Sequence, residues 1–361
     1  MVKRIGVLTG GGDCPGLNAV LRAVVKTAMM KYGYEVIGFK DGYKGLVMNN
    51  FIKFETDHVS GILDKGGTIL GTSNKDNPFN FKVETDGKVE YKDMSKSVIE
   101  NINMFGIDCM VFVGGDGTLT SARDFSKMGV KSIGVPKTID NDLSATDITF
   151  GFMTAVETAT EAIDKLHSTA ESHHRVMILE VMGRYAGWIA LESGIAGGAD
   201  VILIPEIPYD INKVAQKIME RKNKGKSFSI VVAAEGAKSI GGNVVVSKVV
   251  KDSPDPVRLG GIGNKIAEEI EKLTGIETRV TVLGHLQRGG SPIPFDRVLS
   301  TRYGVAAVEL INEGKFGRMV SLNGNTITSV PLEDAVGRLK TVDADGELVR
   351  IAKSIGVGFG D

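Results

Sequence analysis

Short apolar runs alternate with amphipathic helical stretches along almost the whole chain of 361 residues. The segments 107–113, 176–181 and 228–234 are almost entirely apolar, whereas the segments 18–32 and 211–223 repeat apolar side chains at helical spacing. Strands that are apolar on both faces are typical of parallel sheets covered by helices. The alternation therefore predicts an α/β fold.

The predicted strands are more numerous than one open sheet usually holds. We therefore expect two doubly wound, Rossmann-like domains with mainly parallel sheets and an active site in the cleft between them. A stretch rich in glycine, lysine and valine at residues 236–256 is predicted to form a surface hairpin or insertion. The other predicted strands are residues 4–8, 35–39, 132–135, 201–204 and 278–283, and the other predicted helices are residues 119–128, 153–169, 186–196, 264–273 and 294–313.

Charge and composition narrow the possible partners. Lysine and arginine number 43 against 44 aspartates and glutamates, and this balance argues against a nucleic-acid-binding protein. No stretch reaches the ~18 apolar residues of a membrane helix, and no secretory signal precedes the first strand, so we expect a cytoplasmic protein with no membrane partner. Two cysteines are too few for a disulfide framework or a zinc cluster. The 46 glycines are close to twice the usual share of about 7%, which predicts tight turns and close backbone contact with a ligand.

A glycine-rich turn follows the first predicted strand, at residues 9–18 (TGGGDCPGLN). Successive backbone N–H groups and the N-terminus of the next helix can face one anion there, so the turn predicts a phosphate cradle, although a tight strand-to-helix turn would have the same composition. It matches neither the dinucleotide fingerprint, because Pro15 stands where a third glycine is needed, nor the Walker pattern, because no Gly-Lys-Ser/Thr triplet occurs here.

A second glycine-rich turn, residues 114–118 (GGDGT), contains the carboxylate of Asp116. An oxygen ligand beside phosphate-binding amides suits Mg²⁺, which usually takes one or two carboxylates together with phosphate oxygens. The alternative is that Asp116 caps the helix that follows. Two glycine turns on one sheet favour the first interpretation, because together they indicate a single polyphosphate.

The predicted strand 132–135 is followed by residues 136–142 (PKTIDND), which hold Lys137, Asp140 and Asp142 on one loop. Two carboxylates separated by one residue can both turn toward one ligand, as a general base beside a metal–phosphate site requires. A solvated Asp/Asn turn is the alternative interpretation.

Basic residues at two later positions predict further contacts with phosphate. Arg184 lies between glycines in residues 182–188 (MGRYAGW), where a guanidinium can reach developing phosphoryl charge, unless it is an ordinary surface arginine. Arg279 and residues 284–292 (GHLQRGGSP) predict a second anion site. Glu235, at the end of another strand, offers an acceptor for a hydroxyl group, so a sugar phosphate is the expected ligand.

Taken together and in this order, these segments resemble the phosphofructokinase family over almost the whole chain. The resemblance implies transfer of the γ-phosphoryl group of ATP to the 1-hydroxyl of fructose 6-phosphate, a kinase reaction of glycolysis that gives fructose 1,6-bisphosphate and ADP. It also implies a nucleotide- and magnesium-binding domain of residues 1–151 with 287–340, and a sugar-phosphate-binding domain of residues 152–286 with 341–361. The segments that carry the resemblance are residues 11–18, 67–71, 114–118, 136–142, 182–184 and 284–292.

The resemblance also assigns roles to individual residues. Asp140 resembles the general base of the family, with Thr138 and Asp142 beside it, Asp116 holding Mg²⁺ and Arg184 stabilising the transferred group. The implied sugar-phosphate ligands are Thr138, Asp140, Arg175, Met182, Gly183, Arg184, Glu235, Arg279, His285 and Arg288. The implied nucleotide ligands are Gly11, Gly12, Tyr43, Asn74, Lys75, Asp116, Gly117, Thr118, Thr120 and Ser121.

Two of the implied sugar-phosphate ligands, Arg175 and Arg279, match residues that in this family reach into the sugar site of a neighbouring subunit. The resemblance therefore implies active sites shared between subunits of a homotetramer or homodimer.

Three positions bear on the phosphoryl donor. Gly117 favours ATP, because an aspartate there, as in diphosphate-using members, would crowd and repel the nucleotide. Lys137 resembles the diphosphate-using branch, so the chain is similar to a mixed branch that generally uses ATP. Asn74 stands where many members carry an arginine, and Lys75 can replace that arginine only as a point charge.

Diphosphate as the donor is therefore the alternative for the same sugar substrate. NAD kinases and lipid kinases share the GGDGT turn but lack the 136–142 and 284–292 segments, and the absence of a dinucleotide fingerprint disfavours a dehydrogenase. A non-enzymatic sugar-phosphate sensor would need an eroded catalytic set, whereas Asp116, Asp140 and Arg184 are all present.

Overall fold

A computed structural model of the protein describes residues 2–85, 88–249 and 257–361. In the described part, two parallel-stranded sheets form the framework. The first sheet has seven strands in the order β15-β14-β7-β6-β1-β2-β3, and the second has four in the order β13-β8-β10-β9. The strands are β1 Arg4–Thr9, β2 Glu35–Phe39, β3 Phe51–Lys53, β4 Phe81–Thr85, β5 Lys88–Lys92, β6 Cys109–Gly114, β7 Ser132–Pro136, β8 Val176–Val181, β9 Val201–Leu203, β10 Ser229–Ala234, β11 Val246–Val249, β12 Val257–Leu259, β13 Thr278–Val282, β14 Arg318–Asn323 and β15 Thr326–Pro331.

Helices connect the strands and cover the sheets. They are α1 Leu17–Lys26, α2 Tyr43–Met48, α3 Ser95–Met104, α4 Asp116–Lys127, α5 Phe152–His173, α6 Trp188–Ala196, α7 Ile211–Asn223, α8 Ile262–Thr274, α9 Pro294–Asn312, α10 Leu332–Ala335 and α11 Glu347–Ser354, with a π-helical turn at Thr27–Lys31 and 3-10 turns at Thr56–Val59 and Gly284–Arg288. None of the helices in the described ranges is both long enough and apolar enough to span a bilayer. The predicted α/β class with mainly parallel sheets is confirmed.

Strand direction determines where functional loops can lie. The core of the first sheet, β14, β7, β6, β1 and β2, is parallel throughout, and only the edge strands β15 and β3 run antiparallel to their neighbours. All four strands of the second sheet are parallel. The loops that follow the central strands therefore leave each sheet at a single edge, as in other open parallel sheets.

Several elements differ from the sequence-based expectations. The helix predicted from residue 119 begins at Asp116. The last residues of the GGDGT segment form its first helical turn, and the apolar pattern used for the prediction starts only at Leu119. The β14–β15 hairpin was not predicted, since its outer strand is only partly buried and lacks an apolar run. The predicted hairpin in residues 236–256 is met only in part, because β11 lies in that segment but its antiparallel partner β12 lies just beyond it, at Val257–Leu259. Residues 250–256 of that segment lie outside the described residues.

Asp296, in the first turn of α9, ties the two sheets' helical layers together. Helix α9 packs on α1 beside the first sheet, whereas α5 packs on β8 and β10 of the second. The fully buried Asp296 carboxylate accepts hydrogen bonds from Gly151 N (3.0 Å), Thr154 N (2.7 Å) and Thr154 Oγ1 (2.6 Å) at the start of α5. One carboxylate thus satisfies three donors that would otherwise be buried without a partner.

We expect Asp296→Ala to lower the free energy of unfolding by about 2–4 kcal/mol, because it leaves buried donors unsatisfied at a helix start. Differential scanning calorimetry would record this as a lower thermal midpoint. Asp164→Ala, at an exposed position of α5, is the matched control and should change stability by no more than about 0.5 kcal/mol. Equal midpoints for the two variants would contradict this role for Asp296.

Candidate active site

A cavity of about 420 Å³ lies where loops from the two sheets meet. Loops that follow β1, β6 and β7 form one side of it, and the loop that follows β8 contributes Arg184 and Tyr185 to the other. The residues that line it are Gly11, Gly12, Tyr43, Ser73, Asn74, Asp76, Asn77, Gly115, Asp116, Gly117, Thr118, Ser121, Lys137, Thr138, Asp140, Asp142, Arg184, Tyr185, Arg288 and Leu339. Thirteen of these were predicted from the sequence as ligands or catalytic groups.

The β1 turn is glycine-rich because other parts of the site pack directly against its backbone. A Cβ atom at Gly10 would lie 2.6 Å from Thr118 Oγ1, and one at Gly12 would lie 2.7 Å from Arg288 Nη1. Lys137, only 3% exposed, reaches the same turn and donates a hydrogen bond to the Gly12 carbonyl. Burial lowers the pKa of Lys137 below its ordinary value. The glycines thus let a lysine and an arginine reach the backbone that faces the cavity.

Asp116 lies at the first turn of α4 but does not cap that helix. The capping position is Gly115, and no side chain caps the helix there. Asp116 Oδ1 instead accepts a hydrogen bond from Gly337 N (2.9 Å), and the residue lines the cavity. Asp116 is therefore not the N-cap of α4, and its carboxylate belongs to the cavity lining.

The donor set around Asp116 fits magnesium better than zinc. The described ranges contain no group of three or more His, Cys, Asp or Glu side chains that could hold a metal ion. A single carboxylate that relies on phosphate oxygens and water for its other positions is the usual magnesium arrangement in phosphoryl-transfer sites.

The loop after β7 is buried rather than solvated. Asp140 is 5% exposed, and its Oδ1 atom has no hydrogen-bond partner within the described protein, while its backbone N–H donates to Thr138 Oγ1 (3.1 Å). Burial and the neighbouring Asp140 charge raise the pKa of Asp142 to about 7. A buried acceptor without a partner costs free energy unless a ligand supplies a donor, so this loop is not an ordinary turn.

Arg184 lies in the cavity with a left-handed backbone, at φ 52°. Its backbone N–H donates to Glu235 Oε1 (3.1 Å), which fixes the loop against the end of β10. Burial, and secondarily the charge of Asp140, raise the pKa of Glu235 to about 7. Glu235 therefore does not line the cavity, but it is close enough to Asp140 for the charge of Asp140 to raise its pKa.

Not all predicted ligands come together within one chain. Arg175 and Arg279 lie at the amino ends of β8 and β13, where both bind Glu277, with Arg175 Nε 2.7 Å from Glu277 Oε2. Because the strands are parallel, this is the edge opposite Arg184, and of the predicted second anion site only Arg288 lines the cavity. The predicted residues outside the cavity lining are Lys75, Thr120, Arg175, Met182, Gly183, Glu235, Arg279 and His285.

Several lining residues were not predicted from the sequence. Ser73, Asp76 and Asn77 belong to a polar loop whose composition could have indicated a ligand contact. The position of Leu339 in the cavity could not be predicted, because its C-terminal segment has neither a periodic apolar pattern nor a recognisable motif.

Comparison with known proteins identifies the family. The sequence model described as phosphofructokinase matches residues 4–311. The chain belongs to the phosphofructokinase family. It is 64% identical to the ATP-dependent 6-phosphofructokinase 2 of Clostridium perfringens, over 100% of this chain and 99% of that protein. It is also 49% identical to the pyrophosphate–fructose 6-phosphate 1-phosphotransferase of Streptomyces coelicolor, over 99% of this chain and 100% of that protein.

Solved structures agree with this family assignment. Phosphofructokinase from Pichia pastoris in the T-state superposes with a TM-score of 0.79 at 33% identity, covering 93% of this chain and 35% of the yeast chain. A pyrophosphate-dependent phosphofructokinase from Nitrosospira multiformis superposes with a TM-score of 0.82 at 22% identity, which supports the fold alone; it covers 99% of this chain and 93% of that one.

The raised pKa of Glu235 predicts a pH-dependent stability difference in the absence of substrates. Its carboxyl stays protonated in the folded protein up to about pH 7, whereas in the unfolded chain it ionises near 4.5, so its contribution to stability is lost as pH rises between these values. Glu235→Gln should therefore gain stability relative to the wild type on going from pH 4.5 to pH 8, by about 1–3 kcal/mol.

The measurement is urea unfolding at several pH values, with the exposed Glu268→Gln as the matched control. The control should follow the wild-type curve. A Glu235→Gln curve parallel to the wild type at all pH values would contradict the assigned burial.

Proposed function

We propose that this chain is an ATP-dependent 6-phosphofructokinase, which phosphorylates the 1-hydroxyl of fructose 6-phosphate. The observation that carries the proposal is the buried, unpartnered Oδ1 atom of Asp140, in a cavity whose other side is built from two glycine turns and Asp116. A sugar hydroxyl supplies the donor that this oxygen lacks. The 64% identical relative bears the same activity in its name.

The reaction needs an acceptor oxygen that is partly deprotonated as the new P–O bond forms. In the proposed reaction Asp140 accepts the proton of the sugar 1-hydroxyl, and Thr138 and Asp142 line the same cavity beside it. Because Asp142 holds a proton up to about pH 7, it can donate a hydrogen bond where Asp140 accepts one. Asp140 thus acts as the hydrogen-bond acceptor and proton acceptor, whereas protonated Asp142 acts as a hydrogen-bond donor.

Charge on the transferred group is neutralised from several directions. Arg184, whose backbone N–H is bound by Glu235, lines the cavity on the proposed sugar side. Lys137, from the loop after β7, and Arg288, from the 284–288 turn, line it where they contact the turn after β1. Positioning and electrostatic stabilisation of this kind supply most of the catalysis in phosphoryl transfer. Asp116 would hold Mg²⁺, which when bound neutralises charge on the donor phosphates.

The remaining assignments concern the rest of the sugar site and the assembly. Met182, Gly183, Glu235 and His285 are proposed to shape or bind the sugar phosphate. Arg175 and Arg279 are proposed to complete the same site in a neighbouring subunit, because they face away from the cavity of their own chain. This requires a homodimer or homotetramer.

The two domains proposed for the transfer follow the two sheets. Residues 1–151 with 287–340 would hold the nucleotide and magnesium, and residues 152–286 with 341–361 would hold the sugar phosphate. Relatives are named ATP-dependent 6-phosphofructokinase, and we propose that this chain catalyses that step of glycolysis in the cytoplasm.

One assay tests the function. Fructose 1,6-bisphosphate formation from fructose 6-phosphate is measured in parallel with ATP and with diphosphate, each with Mg²⁺. Turnover with ATP at least about tenfold above that with diphosphate supports the proposal. Turnover with diphosphate alone would reassign the donor, and binding of the sugar phosphate without turnover would identify a sensor.

The role of Asp140 predicts a selective loss of turnover. Asp140→Ser should reduce kcat by about 10²–10⁴-fold, the usual contribution of a general base, while the affinity for fructose 6-phosphate stays nearly unchanged. Steady-state kinetics and equilibrium binding of the sugar separate the two effects. Asp345→Ser, at an exposed position, serves as the control and should keep wild-type kinetics. Near-normal turnover of Asp140→Ser would remove Asp140 from this role.

The open space at Gly117 predicts how the donor is selected. No atom lies within 4 Å of a Cβ built there, so a longer side chain would project into the cavity without disturbing the fold. Gly117→Asp should lower kcat/KM for ATP on the order of 10²-fold, because a carboxylate would face the donor phosphates. Gly117→Asn, with the same size and no charge, is the matched control and should lose clearly less. Equal losses of kcat/KM in the two variants would show that the size of the side chain at position 117, and not its charge, limits the use of ATP.

A further inference from the structure

A C-terminal segment that the family match does not include lies against the cavity and contributes Leu339 to its lining. We call residues 336–342 the strap. At one end Gly337 N donates to Asp116 Oδ1 (2.9 Å), and in the middle Leu339 lines the cavity and pairs with Leu143. The strap therefore touches both the magnesium-side carboxylate and the loop that bears the proposed base.

Lys340 is the residue of the strap with the most polar contacts to that loop. Its Nζ atom donates to Asn141 Oδ1 (3.0 Å) and to the carbonyls of Thr146 (3.1 Å) and Asp147 (2.5 Å), which accounts for all three donors of an ammonium group. Its backbone N–H also donates to the Asp142 carbonyl (2.8 Å). One lysine thus holds the loop from residue 141 to residue 147.

Asn141 and Thr149 also hold this loop, since Thr149 Oγ1 donates to the Thr138 carbonyl (2.7 Å). Asn141, between Asp140 and Asp142, has a left-handed backbone at φ 52°, a conformation that costs free energy outside glycine. Its side-chain oxygen is the acceptor shared by Lys340 and by Thr149 N (3.1 Å). Among the described residues none donates to Asp140 Oδ1, so the direction of that carboxylate depends on the loop backbone, which turns at Asn141.

The strap is also anchored on the side of Arg184. Trp188 Nε1 donates to the Lys340 carbonyl (2.8 Å), and the ammonium lies 5.5 Å from the centre of the Trp188 ring. Glu206 Oε1 accepts from Val342 N (2.8 Å) in the strap and from Gly187 N (2.9 Å) in the loop of Arg184. These contacts fix Lys340 relative to the opposite cavity wall.

We propose that Lys340 is a positioning residue for phosphoryl transfer, which holds the 138–142 loop so that Asp140 meets the sugar hydroxyl. It acts through Asn141 and the loop backbone, outside the lining of the cavity. The proposal rests on the proposed function. Since it concerns the geometry of the base and not the binding of either substrate, its removal should affect the chemical step selectively.

The test compares Lys340→Met with Lys353→Met. Methionine keeps the apolar stem of lysine over Trp188 and removes the three donors. Lys353 is a matched control, because it too lies in the C-terminal segment, over the ring of Phe359 (5.7 Å), and bonds Asp361 rather than the loop. We expect Lys340→Met to lower kcat by about 10- to 100-fold, with KM for both substrates within about threefold of wild type, and Lys353→Met to keep wild-type kinetics.

A double-mutant cycle separates positioning from general destabilisation. If Lys340 acts through Asp140, Lys340→Met should cause no more than about a twofold further loss of kcat in the Asp140→Ser background. A merely structural residue would cause the same fold loss in both backgrounds. Trp188, the one tryptophan of the chain, reports by its fluorescence whether the strap stays docked in each variant.

Lys340→Arg covers the case in which Lys340→Met does not fold, because it keeps the charge and donors in a different geometry. It should lose less kcat than Lys340→Met, and its loss should likewise disappear in the Asp140→Ser background. Wild-type kcat for either variant, or equal losses in both backgrounds, would overturn the inference. If wild-type enzyme turned over fructose 6-phosphate with neither donor, the proposed function itself would fail instead.

Discussion

The proposed chemistry depends on one buried carboxylate oxygen, Asp140 Oδ1, to which none of the described residues donates a hydrogen bond. Asp140 follows the parallel strand β7, is 5% exposed and lines the cavity. A group in that state is costly in the free protein and is compensated only when a ligand donates to it. The raised pKa values of Asp142 and Glu235 arise from the same burial and from the Asp140 charge.

The two parallel sheets explain how such a site is assembled. The five parallel strands of the first sheet end at one edge, so turns 10–12, 114–118 and 137–142, distant in sequence, face one cavity. The second sheet supplies Arg184 from its own carboxyl edge and presents Arg175 and Arg279 at the other. Helix α9, through Asp296, and the strap each bind both halves. The spacing across the cavity is therefore set by contacts outside it.

The sequence predicts the central strands well because both of their faces are buried, so that every position is apolar. Strand β8 and helix α7 have the predicted bounds. Asp116, Asp140 and Arg184 could be found because they directly follow such strands. Leu339 and Lys340 could not, since their segment has no periodicity and meets the cavity only through tertiary packing, about 200 residues from the loop it holds. Contacts of that kind leave no local pattern.

The most direct measurement of the central claim is a crystal structure with fructose 6-phosphate, Mg²⁺ and a non-hydrolysable ATP analogue bound together. We expect Asp140 Oδ1 to accept a hydrogen bond from the sugar 1-hydroxyl at about 2.6–3.2 Å, with the hydroxyl oxygen facing the terminal phosphorus. A ternary complex in which the Asp140 carboxylate is hydrogen-bonded to protein groups, with the sugar 1-hydroxyl beyond hydrogen-bond distance, would contradict this role for Asp140.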